Sequence, residues 1–537
     1  MPAYAYAPAG CARRDGAGRS FNGIPERVAE MPCDVAEFSY ARAYGETMFR
    51  PTDPQRDLFG AGGLMPSAKQ EACKKSWAGP FREKALPILL RAEAEFAEFY
   101  DEGNGRPNRS VALVLGTLIL KEANDLTDEE ALDALRFDTR WWCAFEVEPE
   151  EADLCQKTLH NFRAKLLASG KGALVFRRLT DELIAALGVR VDRQRLDSTH
   201  ILSNFARLNR LGLFCETIRV FLHALKKRHE KLHDRLPAGL LKRHGEQSWY
   251  RDARREEGPR RLRVVARDLY RLVERFRWDC RIKRMEEFQL LQRLLAEQCV
   301  IDEKAAKPRD DDDDRDDGSA PVELKDPKDV HSGSLQTPHD PDATYSGHKG
   351  KGYEVQVAET CMPDNPVELI TQVEVTPSAG SDANATIPTI DALDEAGHKP
   401  KELATDTTYS GATNAAEAAK RGVNLLAPAP AMSKPEPGKV YPVPAVDCPT
   451  GRTKAGAWLT CQEAQPDFEE RYAIRAGIEA TNSELKRVQG LGKLRVRRDN
   501  RVRLVVHLKA AGCNLRRALR YWTQTFTMAA EAVPILA

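Results

Sequence analysis

Residues 189–197 read VRVDRQRLD, a short alternating segment that follows Gly188 and ends on Asp197. Alternation of apolar and polar residues is typical of a half-buried β-strand. An acid at the carboxyl end of a strand lies where the side chains of an open α/β sheet gather into a site. The segment therefore predicts a first strand, within residues 188–206, that carries a carboxylate towards a functional site.

Upstream of this strand, residues 47–187 have a helical pattern, and Thr127 and Glu130 have the spacing of a capping box. Helices are predicted at about residues 85–100, 111–124, 131–137, 157–167 and 174–187. Two interpretations of this all-α N-terminal domain fit equally well: a DNA-binding domain, or a packing domain with polar outer faces. The DNA-facing candidates are Lys157, His160, Arg163 and Lys165. Residues 1–46 lack periodicity, which predicts a disordered arm.

Downstream of the strand, the pattern changes several times. Residues 207–300 predict a basic helical insertion, and residues 301–340 an acidic linker. The elements expected after it are strands at 353–360 and 368–376, a helix at 382–395, a strand at 401–406, a helix at 413–421 and a strand at 423–427, all within residues 341–427. An irregular loop is expected at 428–465, and a long C-terminal helix with a basic tail at 466–525. The first two of these strands pair naturally as a hairpin, and the later alternation of helix and strand implies parallel strands with right-handed crossovers. The predicted fold class is α/β, a mixed sheet with a large helical insertion after its first strand, preceded by the all-α domain.

The net charge of +1 is an average over segments of opposite sign. Residues 207–293 hold 24 Lys and Arg against 12 Asp and Glu, a net of +12, and residues 471–520 hold 14 against 3, a net of +11. Residues 301–329 hold 12 acids against 6 bases. Basic segments of this density favour a polyanion such as nucleic acid, although a charged run is often only a solvated helix face.

Nothing in the sequence indicates a membrane or an oxidising compartment. The longest apolar stretch, residues 111–120, is shorter than the roughly 20 residues that cross a bilayer. Twelve scattered Cys fit free thiols in a reducing cytosol better than a disulfide framework. We therefore expect a cytoplasmic protein without a membrane partner.

Two carboxylates, Asp197 and Asp406, each follow a predicted strand. Clustered carboxylates repel each other, and divalent ions relieve that repulsion. A third acid comes from the C-terminal helix, where Tyr472, Arg475, Glu479 and Lys486 are spaced by 3, 4 and 7 residues. This spacing places Arg475, Glu479, Asn482 and Lys486 on one helical stripe. A plain surface ion pair between Arg475 and Glu479 is the alternative.

Four strings carry a resemblance to a known family. They are residues 196–204 (LDSTHILSN), 342–357 (DATYSGHKGKGYEVQV), 403–410 (LATDTTYS) and 470–494 (ERYAIRAGIEATNSELKRVQGLGKL). Together they resemble bacterial insertion-sequence transposases of the DDE class, which have an RNase H-like catalytic core. The last string holds the family's Y-(2)-R-(3)-E-(6)-K signature, and the N-terminal helical domain looks like the InsH-type domain of that family.

This resemblance implies that Asp197, Asp406 and Glu479 are a catalytic triad that holds two Mg²⁺ ions, with Mn²⁺ as a substitute. It implies that Tyr472, Arg475 and Lys486 contact DNA near the scissile phosphate. The implied function is binding of the terminal inverted repeats, followed by Mg²⁺-dependent strand cleavage and strand transfer. The implied partner is double-stranded DNA, both element ends and target, bound by a nucleoid-associated homodimer.

Several other residues have weaker patterns. Lys349 and Lys351, in a Gly-flanked loop, suit either a DNA backbone contact or a plain hairpin turn. Glu484 lies about 140° round the helix from Glu479, so we expect it at the surface and keep it as a reserve member of the triad. We expect Asp192 on the opposite strand face from Asp197. Asp342 is expected in a turn, His200 lacks a second His at ligand spacing, and the pair Cys448 and Cys461 is too small for structural zinc.

Two further functions stay open. The stretch from Cys448 to Phe468 is short for this family, which favours a catalytically impaired relic that only binds DNA. A host RNase H-like nuclease is a third reading, but it does not explain the basic helix signature.

Overall fold

The structure is a computed structural model that describes residues 49, 51–52, 66–100, 108–205, 208–245, 257–302 and 321–531, with side chains as far as residue 525. The predicted N-terminal arm and the acidic run at 310–317 lie outside these residues. Within the part of the chain described, no helix combines the length and the apolar character that crossing a membrane requires.

The N-terminal part of the chain is helical, as predicted. Its α-helices are α1 (Ser67–Lys75), α2 (Ala78–Pro80), α3 (Leu86–Ala92), α4 (Val111–Ala123), α5 (Asp128–Phe137), α6 (Thr139–Phe145), α7 (Gln156–Ser169) and α8 (Gly172–Leu187). The predicted helix at 85–100 is divided, because α3 lies between a π-helical turn at Phe81–Ala85 and a 3₁₀ segment at Glu93–Phe99. The capping box is confirmed: Thr127 Oγ1 accepts from the backbone of Glu130, whose carboxylate accepts from the backbone of Thr127.

A six-stranded mixed sheet forms the centre of the molecule. Its strands are β1 (Arg193–Ile201), β4 (Thr344–Ser346), β5 (Gly350–Thr360), β6 (Ile370–Pro377), β7 (Glu402–Ala404) and β8 (Asn424–Leu426). The order is β4-β5-β1-β7-β8, and β6 pairs with β5. β5 and β6 form the predicted antiparallel hairpin, and β7 and β8 are parallel to each other and to β1, as predicted.

The prediction that Asp197 ends its strand was wrong. β1 continues for four residues beyond Asp197, because it stays paired with antiparallel β5 as far as Ile201. Its parallel pairing with β7 covers only Arg193–Arg195. Asp197 therefore lies two residues past the last residue of β1 that pairs with β7, where β1 is still hydrogen-bonded to β5.

The insertion after β1 is a separate helical unit. It contains α9 (Arg210–His233), α10 (Ala238–Gly245), α11 (Gly258–Phe276), α12 (Cys280–Lys283), α13 (Glu286–Gln298) and the hairpin of β2 (Cys299–Ile301) with β3 (Val322–Leu324). These helices surround their own hydrophobic core, in which Phe221 contacts the rings of Phe276 and Phe288. The guanidinium of Arg210 donates to the backbone carbonyls of Gln298 and Lys325, so the two ends of the insertion lie side by side.

The acidic linker was expected to reach residue 340, but its last part is packed. β3 closes the insertion, and Leu335, Thr337 and Asp340 are fully buried. Asp340 accepts hydrogen bonds from Ser203 and Tyr353, which joins this segment to the end of β1 and to β5.

Helical layers cover both faces of the sheet. On one face, β5 and β6 share a continuous core with the N-terminal helices and the C-terminal helix α19 (Asp499–Glu531). On the other face lie α14 (Thr386–Glu395), α15 (Ala412–Lys420) and α16 (Arg452–Glu463). α16 falls within the predicted irregular loop, where Trp458 and Leu459 bury its inner side.

The single long C-terminal helix that the sequence predicted is broken. The chain forms α17 (Phe468–Tyr472), a 3₁₀ turn at Ala473–Ala476, α18 (Gly477–Arg487) and then irregular structure before α19. Gly490 has a φ of 65°, a left-handed conformation typical of the residues that end a helix. Arg475 therefore precedes the helix that carries Glu479 and Lys486.

Candidate active site

One face of β1 positions the segment that carries the Y-R-E-K residues. Arg193, Arg195 and Asp197 alternate along the strand and therefore share a face. Arg193 donates to the carbonyl of Arg471 at 3.1 Å, and Arg195 donates to the carbonyl of Ile474 at 2.7 Å. The two arginines thus fix α17 and the 3₁₀ turn against the strand, one turn before the candidate catalytic residues.

Gly477 permits this close approach. A Cβ on Gly477 would lie 2.0 Å from Nη1 of Arg195, far inside van der Waals contact. Because α18 begins at Gly477, a larger residue would displace either the guanidinium of Arg195 or the start of that helix.

Asp197 is the centre of the polar contacts. Its Oδ1 is 3.0 Å from Nη2 of Arg475, and its Oδ2 accepts a hydrogen bond of 3.2 Å from Nδ2 of Asn482. Burial raises the pKa of Asp197, the guanidinium of Arg475 opposes this rise, and the neighbouring carboxylate of Asp406 adds to it. The carboxylate of Asp406 is therefore near enough to influence Asp197.

Asp406 lies two residues beyond β7, whereas the sequence predicted it as the last residue of a strand at 401–406. Its Oδ1 accepts from the backbone N–H of Thr408 at 2.8 Å, which fixes the carboxylate in a turn. Tyr472 stacks on Phe468 with ring centroids 5.4 Å apart. Burial raises the pKa of Tyr472, the guanidinium of Arg475 opposes this rise, and the charges of Asp406 and Asp197 add to it, so Tyr472 lies in the same charged region as these three side chains.

Glu479 is the least enclosed of the three acids. Its side chain is 68% exposed, and its Oε1 is 3.3 Å from Nη1 of Arg475. The guanidinium of Arg475 thus lies between Asp197 and Glu479. Among the residues that the structure describes, no three acidic, His or Cys side chains converge closely enough to hold a metal ion.

Lys486 is exposed at the end of α18, whereas the two lysines of the Gly-flanked loop already have partners within the chain. Lys349 Nζ lies 3.1–3.2 Å from oxygens of Ser198, Glu354 and Asp382. Lys351 Nζ donates to the carbonyl of Leu208 at 2.7 Å.

Comparison with known families bears on two parts of this chain. A family model described as "Transposase DDE domain" matches residues 329–515, and one described as "Transposase domain (DUF772)" matches residues 83–165. Together they indicate an insertion-sequence DDE transposase. No curated protein and no solved structure matches the chain. The first match contains Asp406 and Glu479 of the transposase, while Asp197 precedes it on the far side of the helical insertion.

A buried ionic network beneath α18 was missed by sequence reasoning. Glu359 of β5 is fully buried and accepts from Arg195 at 2.7 Å, from Thr481 at 2.6 Å and from Arg517 at 3.1 Å. It therefore ties β1, α18 and α19 of the transposase together. The signal was weak but present, since Arg195 and Glu359 are direct cross-strand neighbours in the β1–β5 pairing.

Glu484 also belongs to this network, so the expectation that it lies at the surface was wrong. Its side chain is 19% exposed and pairs with Arg517 at 2.9 Å. Asp192 precedes β1 and pairs with Lys401, and His200 hydrogen-bonds to the buried Glu354. None of these contacts involves Asp197 or Asp406.

Asn482 is a further residue of the site, recognised from sequence only as a member of the helical stripe. It is 9% exposed, it hydrogen-bonds to Asp197, and its Oδ1 is buried without a partner in the described part of the transposase. Because buried amide oxygens are nearly always satisfied, this atom has the capacity to accept from a water or to bind an ion.

Proposed function

We propose that this transposase binds the terminal inverted repeats of its insertion sequence and catalyses metal-dependent cleavage and transfer of DNA strands. The observation that carries the proposal is that Arg475 contacts both Asp197 and Glu479, while Asp406, just beyond the parallel strand next to β1, is near enough to influence Asp197. We further propose an RNase H-like core, which the strand order β6-β5-β1-β7-β8 supports because its first pairs are antiparallel and its last are parallel.

The oxygen atoms at this site fit Mg²⁺ or Mn²⁺. Mg²⁺ prefers carboxylate and other oxygen ligands. Asp197 and Asp406 supply carboxylates, and the unpartnered Oδ1 of Asn482 is a third buried oxygen close by. We propose that Asp197, Asp406 and Glu479 hold two such ions, which when bound would polarise the scissile phosphate and make the attacking hydroxyl more acidic.

Arg475 contacts two of the proposed catalytic acids, and these contacts could be exchanged for a contact with DNA. In the protein without DNA it balances the charge of Asp197 and Glu479. A guanidinium also binds phosphate oxygens in a bidentate manner. We propose that DNA draws Arg475 onto a phosphate, so that Glu479 becomes available beside the two aspartates.

The remaining basic and aromatic residues would contact DNA around the scissile phosphate. Lys486 is exposed, and Tyr472 lies in the same charged region as the two aspartates, so both suit this role. Lys349 is 36% exposed and stays a candidate, whereas Lys351 is committed to the carbonyl of Leu208. Because two element ends must be brought together, we propose a nucleoid-associated homodimer in the DNA complex.

The test is cleavage of labelled DNA that carries the inverted repeats of the element, with Mg²⁺ present. Asp197→Asn and Glu479→Gln should each lower the rate of cleavage on the order of a thousand-fold, with DNA binding retained. Glu470→Gln, an exposed acid in the same segment, is the matched control and should cut normally. The proposal fails if the unmodified protein cuts no better than Asp197→Asn while it still binds the DNA.

One observation favours the catalytically impaired alternative. Glu479 is largely exposed and paired with Arg475, away from the two aspartates. If that arrangement persists on DNA, the protein would bind element ends without cutting them. The same experiment decides between the two functions. A relic would bind the DNA, but the unmodified protein would cut it no better than Asp197→Asn does.

A further inference from the structure

An exposed tryptophan lies at the tip of the helical insertion, far along the chain from the signature residues. Trp278 occupies the turn between α11 and α12, and 77% of its surface is exposed. Trp77, Trp141, Trp142, Trp458 and Trp522, the other tryptophans of the described residues, are all at least partly buried. Exposing an indole gives up the free energy that its burial would gain, so the fold of the insertion does not explain its position.

The turn that carries this ring is firmly anchored. Phe276 and Ile282 on either side of it are buried in the core of the insertion. Asp279 caps α12 by accepting from the backbone N–H of Arg281 at 2.9 Å. The guanidinium of Arg277 lies 4.9 Å from the centroid of the Trp278 ring and pairs with Glu274, which supports one face of the indole.

Positive charge surrounds the ring. Residues 274–284 contain five basic side chains, Arg275, Arg277, Arg281, Lys283 and Arg284, against the two acids Glu274 and Asp279. Lys283 and Arg284 are exposed, and neither makes an ion pair within the part of the chain that the structure describes. An exposed aromatic ring with unpaired basic residues five and six positions further along the chain is a combination suited to binding nucleic-acid bases together with their phosphates.

The tip is also tied to the catalytic segment. Glu286, which begins α13, pairs at 2.6 Å with Arg498. Arg498 ends a stretch whose backbone pairs with residues 202–204, the continuation of β1 beyond Asp197. Exposed Lys493 and Arg497 lie on this stretch, so basic side chains continue from the tip towards Lys486.

We propose that the tip around Trp278 is a second DNA-binding surface of the transposase, where the indole stacks on an unpaired base and Lys283 and Arg284 contact the adjacent phosphates. This inference rests on the proposed function. A closed duplex hides its base faces, so the ligand is DNA with an unpaired or single-stranded segment next to a duplex. The ion pair of Glu286 with Arg498 links this surface to the segment that follows α18.

The experiment compares two labelled probes by fluorescence anisotropy: a mixed-sequence duplex, and the same duplex with a single-stranded extension. The unmodified protein should prefer the extended probe. Trp278→Ala should lose about ten-fold in affinity for the extended probe and little for the plain duplex, because stacking acts on exposed bases. Trp278→Phe should recover part of the loss.

The matched control is Phe137→Ala, which removes another exposed ring, 73% exposed, from a helix end where the neighbouring arginines are paired with carboxylates. It should bind both probes as the unmodified protein does. If Trp278→Ala binds each probe with the same affinity as the unmodified protein, this inference fails while the proposed function stands. Failure of the unmodified protein to bind either probe would overturn the proposed function with it.

Discussion

The two basic segments of this chain have nearly equal net charges, +12 and +11, but they differ in where their partners lie. In the insertion, most paired arginines find their acids inside the same segment, as Arg219 does with Glu216 and Arg243 with Asp268. The excess of positive charge therefore remains after pairing. It is carried by exposed side chains such as Lys226, Lys227, Lys231, Lys283 and Arg284.

In the C-terminal segment, the acids come from elsewhere in the chain. The pairs that cross to other elements are Arg471–Glu402, Arg475–Asp197, Arg495–Asp125, Arg498–Glu286, Arg503–Glu374, Lys509–Glu122 and Arg517–Glu359. Half of its fourteen basic side chains therefore pair with acids on other elements of the fold. Only the basic side chains that the rest of the fold leaves unpaired are evidence for a polyanion partner, whatever the net charge of their segment.

The largest effect on stability should come from Arg517→Ala. It removes one of the two guanidinium groups that contact the fully buried Glu359, and we expect the free energy of unfolding to fall by about 3 kcal/mol. Denaturant unfolding measures the change. Arg284→Ala, on the insertion, is the control and should stay within about 0.5 kcal/mol of the unmodified protein. If Arg517→Ala and Arg284→Ala were equally stable, the basic residues of the C-terminal segment would not be more important for folding than those of the insertion.

Gly477→Ala should have the next largest effect, because its new methyl group would overlap the guanidinium of Arg195. We expect a loss of about 1–3 kcal/mol in unfolding free energy, together with slower DNA cleavage. Gly258→Ala, at the start of α11 in the insertion, has open space around it and should be tolerated. The double variant Arg195→Ala with Gly477→Ala should lose less unfolding free energy than the two single variants added together. Arg195→Ala removes the guanidinium with which the new methyl group of Gly477→Ala would clash.

The double change Lys283→Ala and Arg284→Ala should act on DNA binding and not on folding. Each phosphate contact releases counterions, so the slope of log affinity against log salt should decrease in magnitude by about 2. Lys509→Met is the contrasting variant, since Lys509 is buried between Glu122 and Asp125 and should change stability while the salt slope stays the same. An unchanged slope in the double variant would show that the insertion does not face DNA.

The smallest effect should come from pairs within the insertion surface. Arg228 is 51% exposed in its pair with Glu287. Arg228→Ala should therefore change the unfolding free energy by less than about 1 kcal/mol. A loss as large as that of Arg517→Ala would mean that the pairs of the insertion also hold its fold together.

Local patterns predicted most of the elements from which this fold is built. The Thr127–Glu130 capping box, the hairpin of β5 and β6 and the parallel strands β7 and β8 all depend on short-range periodicity and spacing, and all are present. The same patterns predicted that both Asp197 and Asp406 end a strand, but β1 continues past Asp197 and β7 ends before Asp406.

What the sequence could not predict depends on contacts between distant residues. The length of β1 beyond Asp197 is set by its pairing with β5, more than 150 residues later in the chain. The break before α18 depends on Arg195 meeting Gly477, and the burial of Glu484 depends on Arg517. The ion pair of Arg475 with Glu479 was one of the two readings that their spacing offered, and it is present. The contact of Arg475 with Asp197 was not predicted, because Asp197 lies on β1, far away in the sequence.

The neighbouring ends of the insertion have a consequence for the architecture of the whole chain. Arg210 donates hydrogen bonds to the backbone just before β2, at Gln298, and just after β3, at Lys325. The first and last elements of the insertion therefore lie next to each other. Replacing the entire helical unit by a short turn would close a small loop, and loop closure depends only weakly on length. We therefore expect that a variant in which a short turn replaces this unit keeps the register of the strands that carry Asp197 and lead to Asp406.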